Sequence, residues 1–151
     1  MELLLLLALL AVLYFVFFKK PQKQGAFEFS DPIPAGYQIY NKSAQLVGIK
    51  YRKDDFLKFA HSDEQALEIE LEPGNPKDPN AIKVIGTTKT GRYFIGYLPK
   101  EDARQIVNSG LAASVKARLM QIYIGKNGYV DMRWQIIGPK KDKKHFDSFQ
   151  S

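Results

Sequence analysis

The chain has 151 residues and a hydrophobic share of 45%, enough for one modest core and about one domain. Its formal charge of +6 and pI near 9.4 favour anionic partners such as nucleic acid or an anionic membrane surface. There is no cysteine, which excludes disulfides and thiolate metal sites.

Sixteen consecutive apolar residues run from Leu3 to Phe18 and stop at Lys19-Lys20-Pro21. As a helix they would reach roughly 24 Å, slightly short of a ~30 Å hydrocarbon core, a gap that local thinning and lysine snorkelling make up. The expectation is a single transmembrane helix over residues 1–18. A cleaved signal peptide is the competing reading, but it would carry a basic segment before its apolar core, and here Glu2 precedes that core. Lys19, Lys20 and Lys23 follow it, which by the positive-inside rule puts the N-terminus outside and the rest of the chain in the cytoplasm.

Residues 19–44 read as a juxtamembrane tether. They include Phe27, Phe29, Ile33, Tyr37, Ile39 and Tyr40, too apolar for a free linker, so the part after about Gly25 is expected to pack as an arm.

Residues 45–138 read as mostly strand. Gln45 to Tyr51 carries Leu46, Val47, Ile49 and Tyr51 as a first strand; Leu67, Ile69 and Leu71 alternate strictly with Glu68, Glu70 and Glu72 as a second with a solvated acidic face. Ala81 to Ile85 and Tyr93 to Leu98 make two more, separated by the polar turn Thr87 to Gly91. Pro99 suits the first turn of a helix, with Glu101 and Asp102 near its positive end, Ala103, Ile106 and Val107 at helical spacing, and Asn108-Ser-Gly110 as its stop. Two strands follow, about Ala113 to Ile124 and Tyr129 to Ile137, joined through the hairpin signal Asn127-Gly128. Short strands at this spacing with one helix predict a mainly β fold, a small OB-like or SH3-like barrel of about six strands. Residues 139–151, with Lys140-Lys-Asp-Lys-Lys144, form a basic tail.

Catalysis finds little support. His61 and His145 are isolated, no zinc ligand set is evident, and no Gly-rich phosphate loop is present, so neither an enzyme nor a cofactor is expected. Binding has better candidates. Lys50, Tyr51, Arg52 and Lys53 end the first strand, Lys77 and Asp78 form the tip of the bend Glu72-Pro-Gly-Asn-Pro-Lys-Asp-Pro-Asn80, and Tyr97 and Lys100 lie where a strand meets the helix. Cations on phosphates and aromatic faces on bases are what single-stranded nucleic acid requires. The bland reading of the same residues is rim aromatics and ordinary surface lysines.

The pattern Asn75-Pro-Lys-Asp-Pro-Asn-Ala-Ile-Lys-Val84, followed by Ile95-Gly-Tyr-Leu98 and preceded by Leu46-Val-Gly-Ile-Lys-Tyr51, resembles the HIRAN domain, a small β-barrel, from about Gln45 to about Ile137. HIRAN domains of the fork-remodelling type bind single-stranded DNA at its 3′ end. The resemblance therefore implies that Asp78 accepts the terminal hydroxyl, Tyr51 stacks a base, Lys50 is the adjacent cation and Lys100 contacts a phosphate. Tyr97 stands where such domains can carry a histidine. This chain departs from the end-binding members in having Lys77 where an aromatic precedes the aspartate, and it lacks the Snf-type ATPase and RING modules that accompany the family. The resulting expectation is a membrane-anchored, cytoplasm-facing module that binds single-stranded DNA without chemistry of its own. The alternative is an adaptor at the inner membrane whose barrel rim binds a peptide or partner domain.

Overall fold

A computed structural model of the chain describes residues 2–18 and 23–150. The leucine-rich start forms α1, Glu2–Phe18, as unbranched apolar residues favour. It has no polar face, and Leu4 to Leu7 are 56–74% exposed. Its 17 residues rise about 25 Å, and no helix among the described residues is long and apolar enough to cross a membrane. The expected span from Leu3 to Phe18 is corrected accordingly. Lys19 and Lys20 lie outside the described residues. Lys23 has a partner inside the domain: its Nζ donates to the Ser62 carbonyl at 2.6 Å and pairs with Asp63 at 2.8 Å.

Among the described residues, 25–139 build two antiparallel sheets. The larger contains β1 (Gly25–Glu28), β2 (Tyr37–Asn41), β6 (Lys116–Ile124) and β7 (Val130–Pro139), in the order β1-β6-β7-β2. The smaller is the meander β3 (Ala66–Leu71), β4 (Ile82–Thr87), β5 (Arg92–Tyr97). Residues 25–41, expected as part of the tether and arm, thus supply both edge strands of the larger sheet.

The sheets stay open, so the expected closed barrel is corrected to seven strands in two sheets among the described residues. Closure needs a hydrogen-bond ladder between the sheets, whereas among the described residues the outer edge of β5 is met only by one bridge, in which Val47 and Tyr97 exchange N–H···O bonds of 2.9 Å. The first strand expected at Gln45 to Tyr51 is reduced to that bridge. Gly48, at φ 82°, ends the extended run, and Ile49–Tyr51 turn as one 3-10 step.

A helix that strand reading passed over follows at once: α2, Lys53–His61. Its first turn holds Asp54 and Asp55, its last Lys58 and His61, in accord with the helix dipole, and Phe56, Phe59 and Ala60 bury one face. A Cβ at Gly86 would lie 2.5 Å from the Phe59 ring, so glycine there lets α2 settle on β4. α3, Lys100–Asn108, begins directly after Pro99 and buries Ala103 and Ile106, as its spacing predicts. Asn127 (φ 60°) and Gly128 (φ 71°) turn β6 into β7.

The core lies between the sheets and under α2 and α3, around Trp134, Phe56, Phe59, Val84, Ile95, Ile106 and Ile122. The basic tail docks on it. Lys140–Asp142 make a 3-10 turn, and α4, Lys143–Asp147, inserts Phe146 against Tyr40 at a centroid distance of 4.6 Å.

Candidate nucleic-acid interface

The bend between β3 and β4 is held by its own polar side chains. Asn75 Oδ1 accepts the Lys77 amide at 2.9 Å and the Asp78 amide at 3.2 Å, and Asp78 Oδ1 accepts the Asn80 amide at 2.9 Å. At the base the Glu72 amide donates to the Ala81 carbonyl at 2.8 Å. Asp78 is thus fixed in place by one oxygen. Its second oxygen has no hydrogen bond among the described residues.

Glu72 leaves the acidic row of β3 and turns toward β5. Its Oε2 accepts from the Tyr97 hydroxyl at 2.9 Å and from Asn75 Nδ2 at 2.7 Å, and its Oε1 meets Lys83 Nζ at 2.6 Å. The Lys83 hydrogen bond, followed by those from Asn75 and Tyr97, holds the Glu72 carboxyl down to about 2. Burial, then the bond to Glu72, raises the Tyr97 hydroxyl, and the carboxylate raises Lys83. Glu68 and Glu70 stay on the solvated face and pair with Arg92 at 2.9 and 3.2 Å.

A bulge decides what Tyr97 sits beside. Lys83 faces Tyr97 and Val84 faces Gly96, but Ile85 faces Phe94, so β5 carries one extra residue there. The shift brings Phe94 and Tyr97, which strict alternation would put on opposite faces, into edge-to-face contact at 4.9 Å. Arg52 lies over the pair, its guanidinium carbon 3.5 Å from the Phe94 centroid and 5.8 Å from that of Tyr97.

The candidates therefore fall into a chain of contacts. Asp78 and Lys77 sit on the bend, Asn75 links the bend to Tyr97 through Glu72, Tyr97 and Phe94 carry Arg52, and Arg52 follows Lys50 and Tyr51. Tyr51 is 79% exposed, with Lys50 Nζ 4.8 Å from its centroid. Lys77 and Lys100 are both exposed, Lys100 as the first residue of α3. Tyr97 differs from Tyr51: its hydroxyl is engaged and its ring is packed, so it braces the site. Sequence reasoning passed over Glu72, Asn75, Lys83 and Phe94 as members of this cluster. The register of β4 against β5 would have put Lys83 opposite Tyr97, but the bulge that recruits Phe94 leaves no composition signal. Among the described residues no group of acidic or histidine side chains is arranged to hold a metal ion.

The fold and sequence have known counterparts. The family profile of the HIRAN domain matches residues 39–136. The crystal structure of the HIRAN domain of human HLTF superimposes with a TM-score of 0.50 at 18% identity, over 78% of this chain and 93% of that one. The NMR structure of the HLTF HIRAN domain gives a TM-score of 0.47 at 17% identity, over 76% of this chain and 88% of that one. At 18% identity the likeness to the crystal structure is one of fold. No curated protein matches the chain.

Proposed function

This chain belongs to the HIRAN domain family, and from that premise we propose that it binds single-stranded DNA across the face from Lys50 to Lys100, without chemistry of its own. The observation that carries the reading is Tyr51: a large aromatic, 79% exposed, held beside Lys50 on a turn braced by Arg52, Phe94 and Tyr97. An exposed ring contributes little to the fold. Stacked on a base it contributes roughly 1 to 3 kcal/mol, with Lys50, Lys77 and Lys100 available for phosphates.

Asp78 adds an end preference to the proposal. A carboxylate repels phosphate, so its place in a polyanion site is best explained by a hydroxyl donor, and its second oxygen is open to the terminal 3′-OH. Lys77 beside it offers charge where end-binding members have an aromatic, so the end contact here is a hydrogen bond with little stacking behind it.

Fluorescence anisotropy of the full chain with a short single-stranded oligonucleotide at low salt tests the proposal. Binding is expected, weakened about tenfold by Tyr51→Ala; no binding at low salt sinks it. A 3′-phosphorylated oligonucleotide should bind more weakly than one with a free hydroxyl. Equal affinity would remove the role of Asp78 and leave backbone binding alone.

A cytoplasmic setting is proposed separately, on the lack of cysteine, which suits a reducing compartment. A reporter fused at the C-terminus and active only outside the cytoplasm would contradict it.

A further inference from the structure

Next to the Lys50–Tyr51 turn lies an open groove of about 480 Å³, lined from the other side by the tip of the β6–β7 hairpin. Ile49, Tyr129 and Val130 give it an apolar floor, and Lys50, Lys53 and Lys126 line it with positive charge. Asp131 is the one acidic lining residue, and its Oδ1 accepts the Met132 amide at 2.7 Å. Neither Lys53 nor Lys126 has a carboxylate partner among the described residues. Tyr129 is 57% exposed and leans edge-on against Tyr123, itself 42% exposed, at 5.9 Å.

The hairpin makes this a built surface. Asn127 and Gly128, both at positive φ, reverse the chain so that Lys126 and Tyr129 stand on the two sides of one turn. Lys53 comes from the first turn of α2, and Lys50 from the turn that carries Tyr51. Lys50 and Lys53 also line the shallow depression over Tyr51 and Arg52, so the two surfaces are continuous.

We infer that the groove holds the next nucleotides of the same strand, with phosphates on Lys53 and Lys126 and a base on Tyr129. This inference rests on the binding reading above and extends its footprint from the Tyr51 turn to the tip of the β6–β7 hairpin. Uncompensated lysines beside exposed aromatic and aliphatic surface match a single strand, whose bases need a flat face and whose phosphates need cations. A duplex, with its bases stacked inside, offers nothing for Tyr129 to meet.

Single-strand footprints on small β domains run from about 4 to 16 nucleotides, so oligonucleotide length is the readout. With the full chain at low salt, an oligonucleotide of about twelve nucleotides should bind about tenfold more tightly than one of about four. The double variant Lys126→Ala/Tyr129→Ala should keep the affinity for the short oligonucleotide and lose the gain from length, whereas Tyr129→Phe should keep both. Both side chains are exposed, and unchanged circular dichroism would exclude a folding defect as the cause. A wild type without the length gain, or a double variant that retains it, overturns the extension while leaving the Tyr51 site standing. Failure of both lengths to bind the wild type overturns the binding reading itself, and the extension with it.

Discussion

Glu72 shows how one residue changes meaning with its surroundings. In the sequence it closes an alternating acidic row, yet its carboxylate gathers Lys83, Asn75 and the Tyr97 hydroxyl and so ties the bend to β5. Its acidity in the fold, about 2, lies below its ordinary 4.5, so the carboxylate favours the folded state. That contribution is complete above 4.5 and disappears as pH falls from 4.5 toward 2. Glu72→Gln keeps the shape and removes the charge. Urea titrations across pH should then show wild type more stable than the variant at neutral pH, with the gap closing over that acidic window. A gap independent of pH would mean that the charge does not matter to the fold.

At the scale of elements, the Lys50–Tyr51 turn depends on a single bridge. Val47 and Tyr97 exchange two hydrogen bonds, and the backbones come close because residue 96 is glycine: a Cβ there would sit 2.7 Å from the Val47 carbonyl oxygen and 2.8 Å from the Leu46 side chain. Gly96→Ala should therefore push Gln45 to Tyr51 off the edge of β5, destabilising the domain by about 1 to 3 kcal/mol in urea unfolding. Oligonucleotide affinity should fall as well, since Tyr51 moves with the bridge. An alanine variant with unchanged stability and affinity would show that the segment is held by something else. Strand propensity was legible here in the β-branched Val47 and Ile49, but propensity does not say how many residues of a segment find a partner. Gly48 in the left-handed region and the amphipathic spacing of Phe56, Phe59 and Ala60 decide for a turn and a helix. The spacing was present in the sequence, obscured by the charged residues between.

For the whole molecule, the number of phosphates that its lysines contact would set how the proposed binding responds to salt. Each phosphate contact on a single strand contributes a slope of about −0.7 in log affinity against log salt. Lys100→Ala should lower affinity and flatten that slope by about 0.7, while Tyr51→Ala should lower affinity and leave the slope unchanged. Titrations at several salt concentrations separate the two, and equal slopes for Lys100→Ala and wild type would remove Lys100 from the interface. The same scale corrects the architecture. Period-two patterns identify strands but carry no instruction about which edges meet, so a barrel and two open sheets read alike until the pairings are known. The apolar run at the start was equally ambiguous: it makes a helix, but one of 17 residues.

By itself the sequence determined the family, the β-rich class, the helix after Pro99, the Asn127-Gly128 turn and the self-bonded bend that presents Asp78, because each rests on local geometry or on a short motif. Tertiary structure alone decided that Arg52 lies on Phe94 and Tyr97, that Glu72 belongs to the bend, and that the tail packs through Phe146. Those outcomes depend on one extra residue in β5 and on which edges are left open, and a bulge or an edge exists only once two strands have been paired.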